Sequence, residues 1–397
     1  MRKVLELHQR LIRETKPTFR RKLIDQIDWN EKGIAILGAR GVGKTTLILQ
    51  YIKEQYGTSD KALYASMDHI IVQEYSIYEI AENHYNAGGT HLFLDEIHKY
   101  ENWSTHLKSI SDTFPDLHCI VSGSSMLQLY KSTADLSRRY ISYELQGLSL
   151  REYIQIEQNI KIDSIALEDI LGNHIEIAHE INDITKPIRD YKAYVQNGYY
   201  PIYLHGTDNY SQKLQNVLNT ILEVDLPIVT GLPVQNVNKI KRLINIISRS
   251  VPFQPNITKL AETLELSRTT LYQYIEYLSN SCIIHSVHHA NKSYKTLSKP
   301  DKIFLHNTNI SYSFGGVDTN IGCVRETFFI NQVRQQHTIH SAKKGDFIVN
   351  EKHTIEIGGA GKDYKQIANI PDSYIVADDI VIGTGNKIPL WLFGFLY

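Results

Sequence analysis

Short apolar runs alternate with stretches of helical period through the first 145 residues. The runs at 33–37, 62–67, 90–94, 118–121 and 141–145 are of strand length, whereas 45–56 and 72–85 space their apolar residues three and four apart. Five strands joined by helical crossovers predict a parallel sheet covered on both faces, since each crossover lays a helix across it. From 149 to about 221 the pattern turns mostly helical, broken at Lys186-Pro187 and at Gly198-Tyr199-Tyr200-Pro201. Three helical segments follow, around 243–247, 258–264 and 268–278, the last with Ser267 as its N-cap. An extended arm at 283–289 completes the outline of a winged helix-turn-helix. The remaining chain alternates strands at 302–305, 346–349, 354–357, 373–377 and 391–396 around one helix near 324–335. These shifts suggest a division into 1–148, 149–235 (a helical linker or lid), 236–300 (the winged helix) and 301–397 (a small α+β domain).

Composition narrows the class without changing that outline. At 397 residues the chain exceeds one hydrophobic core, and 42% hydrophobic with 21% charged residues is ordinary for a globular protein. The net charge of −1 gives no global field to recruit nucleic acid or acidic membranes. No apolar run is long enough to span a bilayer, and residues 1–22 lack the apolar stretch of a signal peptide. Cys119, Cys282 and Cys323 are distant and odd in number, which fits reduced thiols in the cytoplasm.

Candidate chemistry concentrates at Gly38-Ala39-Arg40-Gly41-Val42-Gly43-Lys44-Thr45-Thr46, a complete GxxxxGK[ST] pattern between an apolar run and a helical stretch. A tight glycine turn aims backbone N–H groups at a polyphosphate, and the next helix points its positive end at the same anion. Lys44 would reach the β- and γ-phosphates, and the Thr45 hydroxyl would ligate Mg²⁺. Some fifty residues on, an apolar run ends in Asp95-Glu96. Acids there sit at the carboxyl edge of a parallel sheet, so Asp95 would support the metal and Glu96 would activate water. A further run, His118-Cys119-Ile120-Val121, ends in Ser122-Gly123-Ser124-Ser125, whose hydroxyls can contact the γ-phosphate. Arg138 and Arg139 precede the fifth run and are candidates to neutralise charge at that phosphate, in a neighbouring copy if not in their own.

These residues, with Asp95-Glu96-Ile97-His98-Lys99-Tyr100-Glu101-Asn102-Trp103, Leu136-Ser137-Arg138-Arg139 and Leu148-Ser149-Leu150-Arg151-Glu152-Tyr153, resemble bacterial and archaeal AAA-type ATPases with a C-terminal DUF4143 domain. The likeness extends to Gly198-Tyr199-Tyr200-Pro201 and to Lys302-Ile303-Phe304-Leu305-His306-Asn307-Thr308-Asn309. It implies a five-stranded AAA+ core that uses ATP and Mg²⁺, then a winged helix and a restriction-endonuclease-like domain. Relatives carry Gly where Arg138 stands, so Arg139 aligns better as the arginine finger, and a finger acting in trans implies a homo-oligomer.

Between 236 and 300 nine basic residues face three acidic ones, a local excess that suits DNA phosphates, although Glu265 and Glu276 flank the candidate contacts Arg268, Thr269, Thr270, Tyr272 and Gln273. In the last segment Glu326, Asp346 and Glu356 are spaced in a way that resembles the PD-(D/E)xK nuclease signature. The signature lysine is replaced by Gly358, and only Lys362, beyond a glycine-rich stretch, can substitute for it. Cys282, His285, His288 and His289 look like metal ligands but alternate faces along an extended arm, so they are not expected to capture zinc. The pattern as a whole suggests an Mg²⁺-dependent ATPase coupling nucleotide state to its C-terminal half. An ATP-switched DNA-binding regulator and an ATP-gated nuclease are the alternatives.

Overall fold

A computed structural model describes residues 1–16, 19–124, 138–249, 252–290, 299–316 and 319–397, so Ser125, Leu136, Ser137, Lys292 and Lys295 fall outside the described residues. The described chain forms two compact units: residues 1–146 with 224–232, and residues 147–223 with 233–397.

The first unit is an α/β layer structure. Strands β1 (Gly33–Gly38), β2 (Ala62–Ser66), β3 (His91–Asp95), β4 (His118–Ser124) and β5 (Ile141–Glu144) form one sheet in the order β2-β3-β4-β1-β5. Every pairing is parallel, as the apolar pattern predicts. Strand parity sends Ala35, Leu37, Leu63, Leu92, Leu94 and Val121 into one core, while Ile34, Ile36, Phe93 and Ile120 are buried on the opposite face. The helix Lys44–Gln55 crosses from β1 to β2, and Ile77–Asn86 crosses from β2 to β3. The second of these starts five residues later than its periodicity suggests. Ser76 caps it, accepting from the Glu79 N–H while the Glu79 carboxylate accepts from the Ser76 N–H, and this reciprocal box sets the first turn. β2 is an edge strand whose Tyr64 N–H would lack a sheet partner. His8, on the helix Arg2–Glu14, accepts from it at 3.1 Å. Burial, assisted by the charge of His84, holds that imidazole neutral by lowering its pKa to about 4.

In the second unit the helices Leu150–Gln158, Leu167–Ile184, Pro187–Asn197 and Tyr210–Thr220 are followed by Val234–Ser248, Ile257–Leu264 and Arg268–Asn280. An antiparallel pair comes next, β6 (Ile284–Val287) with β7 (Lys302–Leu305). Beyond the helices Thr308–Gly315 and Ile321–Val333 lies a mixed sheet, β8 (Ile339–Ser341), β9 (Phe347–Val349), β10 (His353–Gly358), β11 (Ser373–Ala377) and β12 (Lys387–Pro389), ordered β12-β11-β10-β9-β8. The expected divisions near 235 and 300 thus fall inside one compact unit. One expected strand is instead helical: Leu390–Phe395 forms 3₁₀ turns. Its residues are buried on every side, so no period distinguishes strand from helix, and a Cβ on Gly394 would lie 2.5 Å from Leu150 Cβ.

Asn309 organises this unit. Its Oδ1 accepts from the Tyr199 N–H at 2.8 Å and the Tyr210 hydroxyl at 2.5 Å, and its Nδ2 donates to the carbonyls of Tyr194 at 3.0 Å and Val195 at 2.9 Å. The Tyr-rich run 191–203 is therefore packing, with Tyr191, Tyr194, Tyr199, Tyr200 and Tyr203 all buried.

Candidate functional site

The loop after β1 turns through Gly41 (φ 86°) and Gly43 (φ 100°), left-handed conformations that a side chain would strain. Gly43 is the N-cap of Lys44–Gln55 and supplies no side-chain cap, so the first amides of that helix face outward for an anion. Lys44 is buried and donates to the carbonyls of Gly38 at 3.0 Å and Ala39 at 3.1 Å, which holds its ammonium over the loop. Ala39 and Val42 anchor the loop in the core, while Thr46 points to solvent. Buried Arg21 braces the loop from behind, donating to the carbonyls of Val42 at 3.0 Å and Gln146 at 2.8 Å.

β1 and β3 both end at this edge of the sheet, which brings Thr45 to Asp95. The Thr45 hydroxyl donates to Asp95 Oδ2 at 2.6 Å, and the Tyr64 hydroxyl donates to the same oxygen at 2.7 Å. Burial, then the charge of Asp95, pushes the Tyr64 phenol far above its ordinary range, so it remains a donor. The Ser122 hydroxyl donates to Asp95 Oδ1 and accepts from the Glu96 N–H at 3.2 Å. Glu96 itself adopts φ 53°, a left-handed turn directly after β3. Ser124, buried, pairs with Gly38 across the β1–β4 register.

A second cluster adjoins this one. Asp225, on Val224–Leu232, is 1% exposed, and Arg40 Nη1 donates to its two oxygens at 3.2 and 3.1 Å. Lys99 Nζ donates to Asp225 Oδ1 at 2.9 Å. His98 Nε2 lies 3.4 Å from Glu96 Oε2 and 3.9 Å from Asp225 Oδ1. Burial alone would raise the Asp225 pKa, but its contacts with His98 and Lys99 and the charges of Lys99 and Arg40 drive it well below the carboxylate range.

Arg139 is not brought to this edge. It precedes β5, its carbonyl lies against the first residue of β1, and its guanidinium pairs with Asp112 at 2.9 Å. Tyr64, Arg21 and Asp225 join the site without having been singled out from the sequence, whereas His98 and Lys99 stood there only within the phrase that follows Asp95-Glu96. Tyr64 and Arg21 carry no motif. Asp225 lies some 130 residues beyond Asp95, where nothing local marks it.

In the second unit, Glu356 on β10 is buried against the ammonium of Lys362. A Cβ on Gly358 would collide with the Lys362 stem at 2.7 Å, so the glycine is what lets this lysine fold back. Lys302 Nζ stands 3.8 Å from Glu326 and 3.6 Å from Asp346, distances of electrostatic contact rather than hydrogen bonding. Burial and then the charge of Asp346 lift the Glu326 pKa to about 7, with Lys302 opposing. Among the described residues, no three His, Cys, Asp or Glu side chains gather as a metal-binding group. On the helix Arg268–Asn280, Arg268, Thr269 and Gln273 are exposed, whereas Lys239, Lys241 and Arg242 are engaged within the protein by Glu265, Glu223 and Thr263.

A parallel five-stranded sheet with a glycine-rich phosphate loop after its first strand and an Asp-Glu pair after its third defines an AAA+/P-loop type α/β core. Residues 30–154 match the family described as AAA domain. Residues 188–320 match a domain of unknown function, DUF8612, a different domain from the DUF4143 implied by the sequence resemblance. The chain is similar to the uncharacterized protein MJ1637 of Methanocaldococcus jannaschii, with 27% identity covering 92% of this chain and 84% of that protein. MJ1544 of the same organism is 25% identical over 76% of this chain and 66% of its own length. Among solved structures, the Aeropyrum pernix ORC1 protein in complex with DNA aligns at 9% identity over 80% of this chain and 91% of that one, with a TM-score of 0.33. AMPPCP-bound DnaA from Aquifex aeolicus aligns at 17% identity over 70% and 88%, with a TM-score of 0.28. At those scores the two likenesses carry no argument about this chain. Among the described residues no helix is long and apolar enough to cross a membrane.

Proposed function

We propose that the chain is an ATP-binding, ATP-hydrolysing protein of the AAA+ type that uses Mg²⁺. The observation that carries this reading is the 2.6 Å contact between the Thr45 hydroxyl and Asp95 beside an uncapped helix N-terminus. A hydroxyl and a carboxylate are hard oxygen donors of the kind Mg²⁺ takes, and two such donors converging on one point fit that ion. Thr45 and Asp95 would hold the metal, which would supply neutralising charge to the phosphates. The amides of residues 38–46 would cradle the phosphates, and Lys44 would exchange its carbonyl contacts for phosphate oxygens. Tyr64 and Ser122 hold the Asp95 carboxylate in place, and Glu96 takes the proton from the attacking water. Ser124, across the register from Gly38, would contact the γ-phosphate. Arg139, at the far edge of the sheet, would serve as a finger only on the nucleotide of a neighbouring copy, which makes a homo-oligomer part of this reading. Exposed Arg268, Thr269 and Gln273 offer a face for DNA on residues 236–300.

Steady-state ATP hydrolysis with Glu96→Gln tests the assignment. Turnover should fall by about 10²–10⁴-fold while nucleotide still binds, and Lys44→Ala should lose binding. A Glu96→Gln protein that hydrolyses at the wild-type rate would refute the role.

One observation favours a second activity. Lys362 occupies the space beside Glu356 that the missing signature lysine would fill, while Lys302 stands by Asp346 and Glu326. Burial, and then the charge of Asp346, raises the proton affinity of Glu326 and Glu356, and a divalent cation held by Asp346 and Glu356 would relieve that. Plasmid nicking in Mg²⁺ that disappears in Lys362→Gln and in Asp346→Ala would establish nuclease chemistry. Nicking that persists in Lys44→Ala would show that ATP does not gate it.

A further inference from the structure

Asp225 is a buried charge, and a buried ion pair rarely adds more stability than apolar residues of the same volume would. A role besides packing is therefore sought in what surrounds it. Three cationic or protonatable groups meet it, and each comes from the candidate site: Arg40 from the phosphate loop, and His98 and Lys99 from the turn after Asp95-Glu96. His98 is 4% exposed, and neither ring nitrogen has a hydrogen-bond partner. Its Nε2 stands between two carboxylates, 3.4 Å from Glu96 and 3.9 Å from Asp225. One N–H cannot serve both. If it bonds Glu96, it stabilises the ionised carboxylate and makes it a weaker base toward water. If it bonds Asp225, Glu96 is released.

We propose that Asp225 is a positioning residue for nucleotide hydrolysis, delivered by the segment Val224–Leu232, which draws His98 away from Glu96. This rests on the function proposed above and adds a control to it: the segment's docking decides whether the base is available. The chain enters this unit at Val224 and leaves it at Leu232, so the control element is contributed by sequence whose neighbours on both sides belong to the other unit. Asp225 also closes a single π-helical turn, Ile221–Asp225, a local geometry frequent at functional sites.

The test uses the full chain and ATP with Mg²⁺. Wild type and Lys44→Ala are compared first; absence of turnover in the wild type sinks the function and this inference together. With turnover established, Asp225→Asn should lower kcat by at least about tenfold and leave KM within about threefold. Asp225→Glu, which keeps the charge, should recover much of that loss. In a His98→Phe background Asp225→Asn should have no further effect, because the imidazole that ties up Glu96 is gone. Unchanged kcat in Asp225→Asn, a loss confined to KM, or independent multiplying losses in the double variant each overturn the inference while leaving the ATPase reading intact. A His98→Phe protein devoid of turnover overturns it too, since the imidazole would then be required rather than restraining. If Asp225→Asn does not fold, Asp225→Ser takes its place: kcat, not KM, must fall.

Discussion

Replacing Glu326 by Gln should make the second unit more stable, and the gain should depend on pH. Glu326 sits on the helix Ile321–Val333 with a side chain only 16% exposed. Burial and the neighbouring Asp346 raise its pKa from 4.5 to about 7. A carboxyl group with a raised folded pKa binds its proton more tightly in the folded state. Its contribution is thus most favourable below the unfolded value and is lost as pH rises through about 7. At 1.36 kcal/mol per unit, the full penalty above that range is about 3 kcal/mol. The amide cannot ionise and escapes it. The lost attraction to Lys302, a long contact at 3.8 Å, offsets only up to about 1 kcal/mol. Trp391 is the second unit's tryptophan, so unfolding can be followed by its fluorescence in a Trp29→Phe/Trp103→Phe background with EDTA present. At pH 8 the Glu326→Gln protein should melt higher by something on the order of 5–10 °C, and at pH 5 the difference should shrink towards zero. A gain of equal size at both pH values, or no gain at pH 8, would refute the argument that burial holds this acid protonated.

Tyr64→Phe removes the 2.7 Å bond to Asp95 and should cost about 1.5–3 kcal/mol in urea unfolding of the first unit. Gly38→Ala would place a methyl 2.3 Å from the Leu145 carbonyl, forcing β1 and β5 apart; the protein should be recovered mainly as aggregate, and a soluble yield equal to wild type counts against the close approach. Asn309→Ala strips four hydrogen bonds from a buried hub and should destabilise the second unit by at least about 3 kcal/mol, measured by the same tryptophan signal.

The sheet of the first unit was legible because its strands are short, apolar and separated by helix-period stretches, a combination that few other folds produce. The phosphate loop and the Asp95-Glu96 pair were legible because each is a contiguous phrase. What escaped notice arrives from elsewhere in the chain. Tyr64 reaches Asp95 from the adjacent strand, with only its place in the β2–β3 register to announce it. The Ser76-x-x-Glu79 box was present in the sequence, yet the apolar period ran on past it and suggested an earlier start. The final segment failed for the opposite reason: wholly buried residues carry no period at all. Lys362 was reachable, since a run of glycines permits a fold-back, but whether the lysine would turn toward Glu356 depended on the space left by Gly358.

The first unit is not one uninterrupted stretch of polypeptide. A fragment ending at residue 146 would keep Arg40, His98 and Lys99 while discarding the carboxylate that compensates them. Such a fragment would present a hole lined with unpaired positive charge at the rim of its phosphate loop, and anions of many kinds would settle there. The same holds for exchange of parts between relatives: whatever donor replaces residues 1–146 must bring an acid at a site far downstream, or the graft inherits a cation cluster with no counterweight.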